Sequence, residues 1–99
     1  MLLRSLALAL AGLLLAALPA YAGPTTIRVG DNFFRPGVQA VHRGARVVWV
    51  NRGDAYHTVT TRRWSVVLSP GERHSRRIRG GFRYVCAYHG AMTGRITVR

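Results

Sequence analysis

Residues 86–92 read CAYHGAM and bring together the chain's one cysteine, a histidine three positions on and one of its two methionines three positions further. A thiol, an imidazole and a thioether at this spacing form no acid–base pair, but they can converge on a single metal ion. Cys86 and His89 lie close enough in sequence to share one ion. Met92 can approach it from the side before Gly94 lets the chain leave the loop. A fourth donor must come from elsewhere, and His57 is well placed. It opens the stretch HTVTT after the turn-rich NRGDAY, so it reaches the same end of the fold if its strand runs beside the one that carries Cys86.

The compartment makes the lone thiol informative. Met1 to Arg4 form a short positive start, Ser5 to Leu18 a Leu/Ala-rich run of 14 residues, and Ala20-Tyr21-Ala22 a small-x-small site before Gly23. This is the pattern of a secretory signal peptide over 1–22, and the run is shorter than the roughly 18 apolar residues of a membrane span. Cleavage leaves residues 23–99, one small domain in the size range where a metal often helps the core. One cysteine cannot form a disulfide within the chain. In an oxidising, periplasm-like compartment a free thiol is a liability unless it is buried or ligated.

The elements that must position these donors read as strands. TTIRV (25–29), VQAVH (38–42), RVVWV (46–50), HTVTT (57–61), HSRRIR (74–79), FRYVC (82–86) and RITV (95–98) are rich in β-branched or aromatic residues and bounded by Gly, Pro, Asn or Asp. No apolar period of 3.6 follows residue 23. About seven short strands predict an all-β fold, a small Greek-key β-sandwich. Alternation puts Phe82, Tyr84 and Cys86 on one face, with the sulfur pointing inward at a strand end, and Val47 and Trp49 on the core face. In HSRRIR the same rule puts Arg77 and Arg79 on one side and Arg76 on the other.

Two imidazoles and a thiolate in a trigonal set, with a weak axial thioether, form the ligand set of a blue-copper centre. The chain resembles a type 1 blue-copper protein of the cupredoxin family, of the plastocyanin/amicyanin-like kind. Its CAYHGAM loop matches the short Cys-x2-His-x2-Met spacing of amicyanins; plastocyanins typically have two more residues before the methionine. FRPGVQAVHRGARVVWVN, LSPGE and GGFRYVCAYHGAMTGRITV carry the rest of the resemblance, which covers residues 26–99. It implies one type 1 copper ion held by His57, Cys86, His89 and Met92, with His89 as the electron's exit through a small apolar surface that includes Gly90 and Ala91. Tyr56 and Thr58 stand where the family often has Pro and Asn, the latter a residue that braces the ligand loop. Gln39 replaces a usual apolar strand residue. His42 and His74 lack a soft donor nearby and are expected to be exposed strand residues. A thioether is a poor zinc ligand, which argues against that ion.

The basic residues are all arginine. After cleavage, 14 arginines face only Asp31, Asp54 and Glu72, a net +11. Such a field speeds encounter with acidic partners, and Arg62, Arg63, Arg73, Arg76, Arg77, Arg79 and Arg83 are candidates to orient an acidic redox partner. No nucleophile–base pair or carboxylate pair is present, so the expected role is an exported, monomeric electron carrier rather than an enzyme. Nucleic acid and a membrane span are not expected. The alternative is a copper-binding or copper-delivery protein without electron shuttling.

Overall fold

The computed structural model describes residues 23–99, and the expected leader over 1–22 lies outside the described residues. Nine strands follow in order: β1 (Thr25–Gly30), β2 (Phe33–Arg35), β3 (Val38–Val41), β4 (Arg46–Asn51), β5 (His57–Thr60), β6 (Ser65–Leu68), β7 (Arg73–Arg77), β8 (Phe82–Val85) and β9 (Thr93–Val98). Two of them, β2 and β6, are additional to the seven expected. One sheet has the order β2-β1-β4-β7 and the other β3-β9-β8-β5-β6. The pairs β1–β4 and β3–β9 are parallel and the remaining pairs antiparallel, so both sheets are mixed.

Period-two patterning decides what each sheet buries. Ile27 and Val29 on β1, Val47 and Trp49 on β4, and Tyr84 on β8 face inward and are fully or almost fully buried. Trp49 sits at the centre, edge-on to Tyr84 with ring centroids 5.6 Å apart and to Trp64 at 6.0 Å. These rings supply apolar area that a domain of this size cannot gain from volume. Gly94 is required where β9 passes Tyr84: a Cβ there would run into the tyrosine ring.

His42 is exposed, as expected, but His74 is not. It is half-buried at the sandwich edge and stacked over Trp49 with centroids 6.5 Å apart. Burial, and next the charge of Arg76, push its pKa below the usual value, leaving a neutral ring that accepts from Arg76 Nε at 3.0 Å. Arg76 in turn lies 3.8 Å over the Trp64 ring. Gln39 is half-buried, and its amide donates to the carbonyl of Ala40.

Candidate metal centre

Three donor residues meet where β5 begins and β8 ends. His57 is the first residue of β5, and Cys86 follows the last residue of the neighbouring antiparallel strand β8. His57 Nδ1 lies 3.8 Å from Cys86 Sγ, and His89 Nδ1 lies 3.4 Å from it. All three donor atoms lie within 4.8 Å of one another. A thiolate about 2.3 Å and imidazoles about 2.0–2.1 Å from one ion, at tetrahedral to trigonal angles, put sulfur and nitrogen roughly 3.5–3.8 Å apart. Both sulfur–nitrogen spacings fall on or next to that range, so each imidazole is placed to share an ion with the thiolate.

The loop that carries them is closed on itself. Cys86 N–H donates to the carbonyl of Met92 at 3.0 Å, which pins the two ends of CAYHGAM together and turns the buried Met92 side chain inward. Ala91 takes a left-handed φ of 63° to complete the turn, a strain of order 1 kcal/mol for a non-glycine residue.

Thr58 performs the bracing expected of the asparagine it replaces. Its backbone N–H points at Cys86 Sγ at 3.4 Å, and its Oγ1 accepts from Ala87 N–H at 2.7 Å. A hydroxyl chain to Thr60 (2.8 Å) and on to Ser65 (2.7 Å) anchors it across to β6. The side chain is shorter than asparagine, yet it ties the ligand loop to β5 directly. Asn51 braces the approach to His57 from the other side. Its Nδ2 donates to the carbonyls of Ala55 and Leu68, both at 2.9 Å, and its Oδ1 accepts from Gly53 N–H.

Electrostatics favour the ligating form of the thiol. Burial alone would raise the Cys86 pKa, but hydrogen bonds from Thr58 N–H, His89, Tyr88 N–H and His57 outweigh it and bring the thiol down to about 6. At neutral pH it is therefore a thiolate, the form that ligates. Behind His57, Asp31 Oδ1 lies 2.7 Å from Nε2. Backbone N–H of Asp54, and next His57, lower the Asp31 pKa to about 2. An ionised carboxylate only accepts, so Nε2 keeps its proton and Nδ1, on the sulfur side, is the nitrogen that would give up its proton to ligate. Burial opposes charge on His57, but the Asp31 and Cys86 contacts win and its pKa is raised.

The expected donors His57, Cys86 and His89 thus converge, and Met92 closes their loop. Sequence reasoning missed Asp31, whose only signal is that it is one of three acids in the chain. It also missed how Thr58 and Asn51 hold the frame.

No protein-family model and no curated protein matches the chain. Solved structures do. A purple cupredoxin from Nitrosopumilus maritimus aligns with a TM-score of 0.70 at 19% identity, over 76% of this chain and 99% of that one. An amicyanin variant in its reduced state aligns with a TM-score of 0.71 at 19% identity, over 81% of this chain and 86% of that one. A second amicyanin variant, in its Cu(I) form, gives a TM-score of 0.71 at 20% identity, with the same coverage of both chains. The fold is that of the cupredoxins. Within the cupredoxin fold, a thiolate and two imidazoles at the end of the sandwich form a soft, electron-rich donor set suited to copper.

Proposed function

We propose that the chain is an exported blue-copper electron carrier, with residues 1–22 removed and residues 23–99 forming a monomeric cupredoxin domain. His57, Cys86 and His89 would hold one type 1 copper ion, and the Met92 thioether would be the weak fourth ligand. The observation that carries this reading is the convergence of Cys86 Sγ with two Nδ1 atoms at 3.4 and 3.8 Å. Bound copper supplies reversible one-electron exchange between Cu(I) and Cu(II). The protein's part is rigidity. Asp31 holds the His57 ring, Thr58 holds the loop, and β5 and β8 hold the two strand-borne donors, so the donors do not rearrange when charge changes.

His57 and Cys86 are buried, whereas His89 is half-exposed and flanked by exposed Gly90, Ala91 and Tyr88. With Tyr56, this rim is the surface on which a redox partner docks and through which the electron leaves. The carboxylates of Asp31 and Asp54 lie at this end, and the carbonyl of Glu72 accepts from Asn51 N–H beside them. Arg62 and Arg63 sit on the β5–β6 turn, at the other end of β5 from His57. An acidic partner is therefore drawn by the field of the whole molecule rather than by a ring of arginines around His89.

The test is addition of Cu(II) to the purified exported protein. One equivalent should produce an intense blue colour and a reversible one-electron voltammogram, and Cys86→Ser should abolish both. Stoichiometric copper binding without reversible cycling would make the chain a copper-binding or delivery protein instead.

A further inference from the structure

The outward face of the sheet β2-β1-β4-β7 carries five exposed arginines: Arg28, Arg35, Arg46, Arg73 and Arg77. The register sets them in two rows. Arg35 lies opposite Arg28, Arg28 opposite Val50, and Val50 opposite Arg73, while Arg46 lies opposite Arg77. Between the rows run Thr26, Val48 and Ser75. The four strands contain no Asp or Glu, and among the described residues the only ion pair is His57 with Asp31.

This arrangement works against the fold. Directly opposed side chains in an antiparallel pair stand about 5 Å apart, where like charges destabilise the sheet. Both antiparallel pairings on this face place arginine against arginine: Arg28 with Arg35, and Arg46 with Arg77. The aliphatic stems still have a use, since Val50 is 4% exposed although it points outward between Arg28 and Arg73. The charged heads have none inside the molecule beyond local contacts, such as Arg46 Nη1 to Ser75 Oγ and Arg35 over the Phe33 ring.

We infer that this face is a docking surface for an anionic lipid bilayer, which binds it through headgroup phosphates. Charge complementarity asks for an anionic occupant, and the shape of the face selects which one. Protein interfaces centre on buried aromatic or aliphatic anchors, and the one aromatic here, Phe33, is half-buried with Arg28 and Arg35 guanidinium groups near its ring. Sheets that bind single-stranded nucleic acid present free aromatic rings for base stacking, and this face offers none. A broad charged face with no apolar group to insert suits a layer of headgroups. Strands β1 and β4 run along the face toward the His57 end, so a molecule lying on it keeps His89 open to a partner.

The exported protein is mixed with vesicles of phosphatidylcholine alone and of phosphatidylcholine with phosphatidylglycerol, and sedimented at low and high salt. Binding to the anionic vesicles only, lost at high salt, is expected. Each charge near an anionic surface changes partitioning about fivefold, so R28Q/R35Q/R73Q should weaken binding on the order of a hundredfold. R62Q/R63Q/R83Q removes the same charge from β8 and the β5–β6 turn of the other sheet, away from the face, and should weaken it far less. Unchanged circular dichroism shows that each variant is folded. Equal losses in the two triples, binding to neutral vesicles, or no binding to anionic ones would overturn the inference. So would tighter, face-dependent binding to an acidic polypeptide or to DNA.

Discussion

The carboxylate of Asp31 lies 2.7 Å from Nε2 of His57, behind a ring whose Nδ1 faces the cysteine sulfur. Twenty-six residues separate the two, and the contact exists only because the β1–β2 turn folds over the loop before β5. Such outer partners fix a metal-binding imidazole and raise its basicity, and their loss typically weakens metal affinity 10- to 100-fold. Asp31→Asn keeps an acceptor oxygen but removes the charge, so Cu(II) should lose more than Cu(I). A tenfold differential raises the reduction potential by about 59 mV, readable by voltammetry. Asp31→Ala should also loosen the loop, because the backbone N–H groups of Asp54 and Ala55 lose their acceptor. A potential unmoved by Asp31→Asn would show that the carboxylate serves the loop alone.

The thiol of Cys86 titrates at about 6, below its ordinary value, because the donors around it outweigh burial. A lowered pKa keeps the thiolate populated down to about that pH and protonates it below. In copper-free protein, the alkylation rate of Cys86 should therefore rise through a midpoint near pH 6 and stay flat at neutral pH. Copper uptake should weaken as pH falls through the same range, since the proton competes with the metal. A midpoint near the usual thiol value would mean that Thr58 and His89 do not act on the sulfur.

Thr58→Val keeps the shape of the side chain and deletes the oxygen that accepts from Ala87 N–H at 2.7 Å. An unpaired backbone donor in a part-buried site costs about 1–3 kcal/mol. The backbone N–H of Thr58 still points at the sulfur. Urea unfolding should thus show lower stability while the blue colour is kept. Loss of colour at full stability would shift the role of Thr58 from bracing to tuning.

The ligand loop was legible because Cys86 and His89, two of the three donors that converge, lie three residues apart, a local fact that spacing alone reveals. His57 was legible at one remove, through the expectation that its strand neighbours the one ending in Cys86. Asp31 was not, since nothing in GDNF says which imidazole a turn will cover 26 residues on. Among the strands, FFR and SVVL escaped notice for one reason. Both form sheet edges, where burial on one side only weakens the pattern, and FFR is three residues long and runs straight into Pro36. His74 read as a surface residue because its cover comes from Trp49, Trp64 and Arg76 across the sandwich edge.

Met92 is buried at the closing of the ligand loop. An axial thioether is a weak ligand that mainly sets the potential. Met92→Gln should therefore leave one equivalent of copper bound and shift the potential and the visible spectrum. Complete loss of copper from a folded variant would assign Met92 a larger share of the binding.

Arg46 and Arg77 face each other across β4 and β7 at the far end from the metal site. If the pair is held for an external anion rather than for the fold, reversing one charge should help the isolated protein. Arg46→Glu turns a like-charge cross-strand pair into an opposite one, worth about 0.2–1 kcal/mol. The gain is partly offset by the lost hydrogen bond to Ser75. It should be largest at low ionic strength and fade as salt rises, because the Debye length falls from about 30 Å at 0.01 M to about 3 Å at 1 M. Urea melts at the two salt concentrations read it directly. The copper colour should not change, since the site lies at the opposite ends of these strands. A variant less stable at low salt than at high salt would show that the arginine pair already has its counter-charge within the molecule.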